Sequence, residues 1–109
     1  MISIDDFKKV EIKVGEILSA ERIPDTDKLL KLLVNFGEAA PRQVVSGIAA
    51  FFPEPLSLVG KKCAFVTNLE PRTIRGFESQ AMILASGGGD TPFSLFYPDQ
   101  ALPAGSAAR

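Results

Sequence analysis

The stretch Val10-Glu11-Ile12-Lys13-Val14-Gly15-Glu16-Ile17-Leu18 decides the fold, because its apolar residues recur at every second position. A period of two is the repeat of a half-buried strand, whereas a helix repeats near 3.6. Val10, Ile12, Val14 and Leu18, in phase with Glu16, are expected on the inner face, with Glu11, Lys13, Gly15 and Ile17 opposite. Gly15, inside the run, predicts a bulge or bend. Just upstream, Ser3 followed by Asp5, Asp6, Phe7, Lys8 and Lys9 predicts a short capped helical turn. Serine accepts from the free first-turn amides, acids suit the positive end and lysines the negative end.

Downstream, the same period returns after the turn residues Pro24-Asp25-Thr26-Asp27. From Lys28 to Phe36 the alternation puts Leu30, Leu32, Val34 and Phe36 inward and Leu29, Lys31, Leu33 and Asn35 outward. Residues 37–41 turn the chain onto a third strand, Arg42-Gln43-Val44-Val45-Ser46. Ile48 to Phe52, ended by Pro53, reads as a short helix. Cys63 to Thr67 and Ser79 to Ser86 are the fourth and fifth strands, separated by a loop bracketed by Pro71 and Gly76. Gly87-Gly88-Gly89 reads as a flexible break before a tail that carries Phe93, Leu95, Phe96 and Tyr97. Five short strands with a helix between the third and fourth is the element order of an all-β OB-fold, a Greek-key barrel.

A chain of 109 residues holds one domain, and 46% hydrophobic against 23% charged residues is too apolar for disorder. No apolar run approaches the roughly 20 residues of a membrane-spanning helix, and no leader precedes the pattern, so a cytoplasmic protein is expected. The Met1 start suggests a free-standing one, and a fragment of a longer protein would read the same. Cys63 is the single cysteine and histidine is absent. That removes disulfide frameworks, Cys/His zinc sites and imidazole acid–base chemistry. The glycines at 87–89 lead into no helix bearing Lys-Ser/Thr, so they form no phosphate loop. Asp25 and Asp27 belong to a turn. No catalytic residue, metal or cofactor is expected, and the chain reads as a non-enzyme. The net charge of −1 rules out a broad basic footprint, so any anionic partner must meet a local one. From Arg42 to Ser79 five basic residues (Arg42, Lys61, Lys62, Arg72, Arg75) face three acids, while the first 27 residues carry four basic residues against seven acids.

At Asn68-Leu69-Glu70-Pro71-Arg72-Thr73-Ile74-Arg75-Gly76 and Glu78-Ser79-Gln80-Ala81-Met82 the chain resembles the tRNA-binding domain family, which includes the C-terminal domain of methionyl-tRNA synthetases and free-standing tRNA-binding proteins. The likeness extends to Phe7–Gly15, Asp27–Leu32, Arg42–Ile48, Gly60–Lys62 and the tail motifs Tyr97-Pro98-Asp99 and Pro103-Ala104-Gly105. The resemblance implies an OB-fold over residues 1–91, a C-terminal extension over 92–109 that builds a homodimer, and recognition of the shape and backbone of tRNA. Removal of 92–109 is then expected to give a monomer. A methionyl-tRNA synthetase, or another aminoacyl-tRNA synthetase, is the implied partner. Two departures stand out: Ala81 replaces a usual glycine, and Asn35-Phe36-Gly37 replaces an Asp-Gly ending of the second strand.

Arg42, Asn68, Arg72, Ser79 and Met82 match positions that the family associates with its RNA face, and Lys31 and Arg75 complete the candidate set. Arginine offers a planar fork for phosphate, Asn and Ser neutral donors for phosphate or 2′-OH, and Met an adaptable apolar contact. Each has a structural alternative: Asn68 as a turn cap, Ser79 as a partner of backbone amides, Met82 as core. A peptide-binding dimer, like an export-chaperone relative of the same fold, is the rival function, and a bare assembly domain a third.

Overall fold

The computed structural model describes residues 1–109. Its strands are β1 (Ile12–Arg22), β2 (Leu30–Asn35), β3 (Arg42–Ser46), β4 (Lys62–Val66), β5 (Arg72–Ile74), β6 (Phe77–Ser79), β7 (Met82–Ile83), β8 (Ala85–Gly88) and β9 (Thr91–Leu95). β3-β2-β1-β4-β7, in that order, form one antiparallel sheet that curls into a nearly closed OB-type barrel, while β5–β6 and β8–β9 are separate hairpins. The long β1 makes the curl: Glu16 to Arg22 pair with β2, and Ile12 to Glu16 with β4.

Leu30, Leu32, Val34 and Phe36 are buried, as their alternation predicts, and Val44, Cys63, Phe65, Ile83 and Leu95 join them in the core. Phe36 and Phe65 meet edge to face, 5.1 Å between centroids. Each wholly buried Leu, Val or Phe contributes about 1.5–3 kcal/mol over its exposed state. β1 differs from expectation. Its inner residues are Gly15, Ile17 and Ala20, whereas Val10 and Leu18 are exposed. Both faces of this strand carry apolar residues, so alternation alone leaves the choice of face open. Packing makes it: a Cβ on Gly15 would lie 2.5 Å from Val34 and 2.6 Å from Phe36. Gly15 therefore makes room for the core and is regularly paired with Cys63, and the bulge falls instead between Ile17 and Ser19, with Leu18 as the extra residue.

The N-terminal turn is α1 (Ile4–Phe7), closed by a Ser3/Asp6 capping box. Between β3 and β4 the expected helix is two 3₁₀ turns, Ala49–Phe51 and Pro55–Leu58. The expected fifth strand is broken into β7 and β8, and the expected loop at 71–76 is most of the β5–β6 hairpin, an arm whose β6 packs beside β3. The glycine break is the turn of the β8–β9 hairpin, with Gly87, Gly88 and Gly89 all at positive φ. The tail packs on its own barrel. Leu95 enters the core, Phe93 stacks on Phe51, and Gly105 to Ala108 run along β1, with Val14 donating to Ser106 O at 2.9 Å and Ala108 donating to Ile12 O at 2.8 Å. The division expected at residue 92 falls inside β9.

Of the two departures, Ala81 is buried without positive φ, so its backbone needs no glycine. Asn35 Oδ1 accepts from Gly37 N at 2.8 Å, the bond an aspartate there would accept.

Candidate nucleic-acid interface

The barrel closes between β3 and the segment 78–81, and it closes largely through side chains. Gln80 N donates to Gln43 O at 2.8 Å in the usual ladder manner, but Gln43 N donates to Gln80 Oε1 at 2.8 Å and Val45 N to Ser79 Oγ at 2.9 Å. Gln43 Nε2 reaches back to Glu78 O at 2.9 Å. Two side-chain oxygens thus stand in for strand carbonyls, satisfying donors that would be costly to bury unpaired. Ser79 is itself buried and has an acceptor for its own proton in Ala81 O.

Arg42 locks the end of this seam. Its Nε and Nη2 donate to the two carboxylate oxygens of Glu38, at 2.8 and 2.6 Å, the bidentate fork that arginine forms best. Nη1 donates to Thr67 O at 2.7 Å and to Gln80 O at 3.3 Å, and the guanidinium lies 5.4 Å from the Phe36 ring centroid. The Arg42 hydrogen bonds hold the Glu38 carboxyl below its ordinary value, and Glu38 in turn raises Arg42. Thr67 Oγ1 donates to Glu11 Oε1 at 2.6 Å, which, with Lys13 3.6 Å away, lowers the Glu11 carboxyl. Asn68 ties down the N-terminal segment from both ends of its amide: Oδ1 accepts from Glu11 N at 2.8 Å and Nδ2 donates to Lys9 O at 2.7 Å.

The other candidates lie around the arm. Lys31 projects from the outer face of β2, 2.8 Å from Glu21 and 4.9 Å from the Phe77 ring centroid, joining β1 to the arm. Arg72, on β5, is exposed and has no carboxylate within ion-pair distance. Arg75 occupies the arm's turn at φ 52°, opposite Asp25 to Leu29 across an open depression. Met82 is 46% exposed. Arg72, Ser79 and Met82 come together at one cleft of about 80 Å³ between β3, the loop at Leu69 and Glu70, and the arm; Arg42, Asn68, Lys31 and Arg75 are not part of its lining. Gln80, Glu38 and Thr67 escaped the sequence reading. For Thr67 and Gln80 there is no local signal, because their partner Arg42 lies 25 and 38 positions away; Glu38 lies four residues before Arg42, and that opposite-charge spacing is the one signal that could have found it. Cys63 is buried, and desolvation pushes its thiol up to about 11, which leaves it an inert core residue.

An OB-type barrel with an arm and a part-cationic cleft beside its third strand is the class that fold and face define. Within that class, the chain belongs to the tRNA-binding domain family: the family model described as "Putative tRNA binding domain" matches residues 12–107. It is 50% identical over 108 residues to the methionine–tRNA ligase of Methanospirillum hungatei, covering 99% of this chain and 16% of that protein. To the ligase of Methanococcus aeolicus it is 48% identical over 106 residues, 97% of this chain and 15% of that one. The chain therefore spans about one-sixth of the length of these curated relatives. Among solved structures, a MetRS-related protein from Pyrococcus horikoshii superposes with a TM-score of 0.90 at 38% identity, covering 100% of this chain and 98% of that one. The chaperone CsaA from Bacillus anthracis gives 0.87 at 26%, covering 100% and 99%. No helix here is long and apolar enough to cross a membrane.

Proposed function

We propose that this chain is a non-catalytic, cytoplasmic tRNA-binding module that assists a methionyl-tRNA synthetase, gripping RNA with the arm and the cleft beside β3. The observation that carries the reading is Arg72: an exposed cation without an internal partner, beside a cleft, in a member of the tRNA-binding domain family. Arg75 and the Lys31–Glu21 pair extend the cationic side, and a bridged lysine can exchange its carboxylate for phosphate at small cost because surface pairs are worth little. A homodimer would double so small a footprint. Its interface is proposed on the half-exposed tail residues Phe96 and Tyr97. A F96S/Y97S variant should sediment as a monomer with an unaltered melt, while an unchanged dimer would place the interface elsewhere.

The test is a titration with purified tRNA at two salt concentrations, for the parent chain and for R72A/R75A. Binding that weakens steeply with salt, and further in the variant, supports the reading, since each phosphate contact contributes about one unit of salt slope. Absence of binding at low salt by a folded protein ends it. The rival reading, a peptide-binding chaperone, draws on the likeness to CsaA and on the exposure of Leu69 and Met82.

A further inference from the structure

Resting on that RNA-binding reading, we infer that the cleft seats one unpaired nucleobase bearing an amino group, with Arg72 on the adjoining phosphate and Glu70 accepting from the amino N–H. A face built only for backbone and shape would present free donors. Here Arg42, Ser79 and Asn68 are committed to carbonyls, amides and Glu38 within the chain. What remains at the cleft is of a different kind: the apolar side chains of Leu69, Ile74, Met82 and Ile83, the Ser46 hydroxyl, one cation and one carboxylate. Leu69 and Met82 are 50% and 46% exposed, an unfavourable arrangement in the free protein and a suitable one for the face of a base.

Size and charge narrow the occupant. A volume of about 80 Å³ is far below the roughly 300–1,000 Å³ of ordinary ligand pockets. It admits the edge of one ring, not a nucleotide or a run of peptide. A carboxylate beside a polyanion opposes binding unless it accepts a hydrogen bond, and the exocyclic amino group of cytosine or adenine offers one to Glu70, the pairing that acids make with base edges elsewhere. Uracil has no amino group, and its one edge donor, N3–H, lies between two carbonyl oxygens that a carboxylate repels. A continuous duplex keeps its bases stacked and its major groove closed to side chains, so the ligand must carry an extruded or single-stranded nucleotide.

The experiment compares hairpin RNAs of one stem and one charge, differing at a single bulged residue: cytidine, uridine or abasic. They are titrated by fluorescence anisotropy alongside tRNA, against the parent chain, Met82→Ala and Glu70→Ala. Cytidine should bind about tenfold tighter than the abasic form, the scale of one seated base, and roughly fivefold tighter than uridine. Met82→Ala should shrink the first ratio and Glu70→Ala the second, with both proteins melting like the parent. Equal affinity for all three hairpins, with tRNA still bound, overturns this inference and leaves the tRNA-binding reading standing. A cytidine preference that persists in Met82→Ala removes the cleft as its seat. Failure of tRNA and every hairpin to bind, with an apolar peptide held in a Met82-dependent way, overturns both.

Discussion

Two groups of polar side chains meet where Arg72 of β5 pairs with Ser79 of β6, and they do opposite things. At the closing seam, Arg42, Ser79, Gln80 and Asn68 have their hydrogen-bonding groups committed to carbonyls, amides and Glu38. On the arm, Arg72 and Arg75 have no carboxylate partner. Residue type does not separate the groups, since each contains arginine and each lies in a family motif. Partnership does. A donor already bonded internally is a stability element, and a donor facing only water is available to a ligand.

The comparison can be broken first at Arg42. Arg42→Ala leaves Glu38 without its fork and two carbonyls without a donor, so it should cost about 2–3 kcal/mol, from lost charge-assisted bonds. Thermal unfolding by circular dichroism measures it, and a variant as stable as the parent would show that Arg42 is no more structural than Arg72. Ser79→Ala strands the Val45 amide in a buried setting and should cost about 1–2 kcal/mol, also read from the melt. Arg72→Ala should stay within about 0.5 kcal/mol of the parent while weakening tRNA binding and lowering its salt slope by about one. The smallest effect is acidic. Glu38 and Glu11 have carboxyls lowered from 4.5, chiefly by hydrogen bonds from Arg42 and Thr67 respectively. A carboxylate whose folded value lies below its unfolded one adds stability that is present above the unfolded value and lost as pH falls through the folded one. The melting temperature should therefore drop below about pH 4.5, and Glu38→Gln should flatten that drop.

Much of this was legible from alternation and spacing. β2 and β3 lie where the period of two places them, and the capped N-terminal turn forms from Ser3 and Asp6, because these features depend on residues within a few positions of one another. β1 was legible as a strand but not in its face, since Val14 and Ile17 are equally apolar and only the packing of Phe36 and Val34 over Gly15 distinguishes them. The candidate site was legible as a set of positions. Its division into internal and free donors was not.

By itself the sequence determined where the first four strands lie, the barrel class, the absence of cysteine–histidine chemistry and the segments that bear the family's motifs. These are properties of composition and of short-range period. Only the tertiary structure decided which face of β1 is buried, that the tail straps β1, and that Ser79 and Gln80 close the barrel while Arg72 stays free. Each of these is a contact between residues far apart in the chain. Such contacts are fixed by the volume and the unpaired hydrogen-bonding groups that the barrel leaves to be satisfied when it closes.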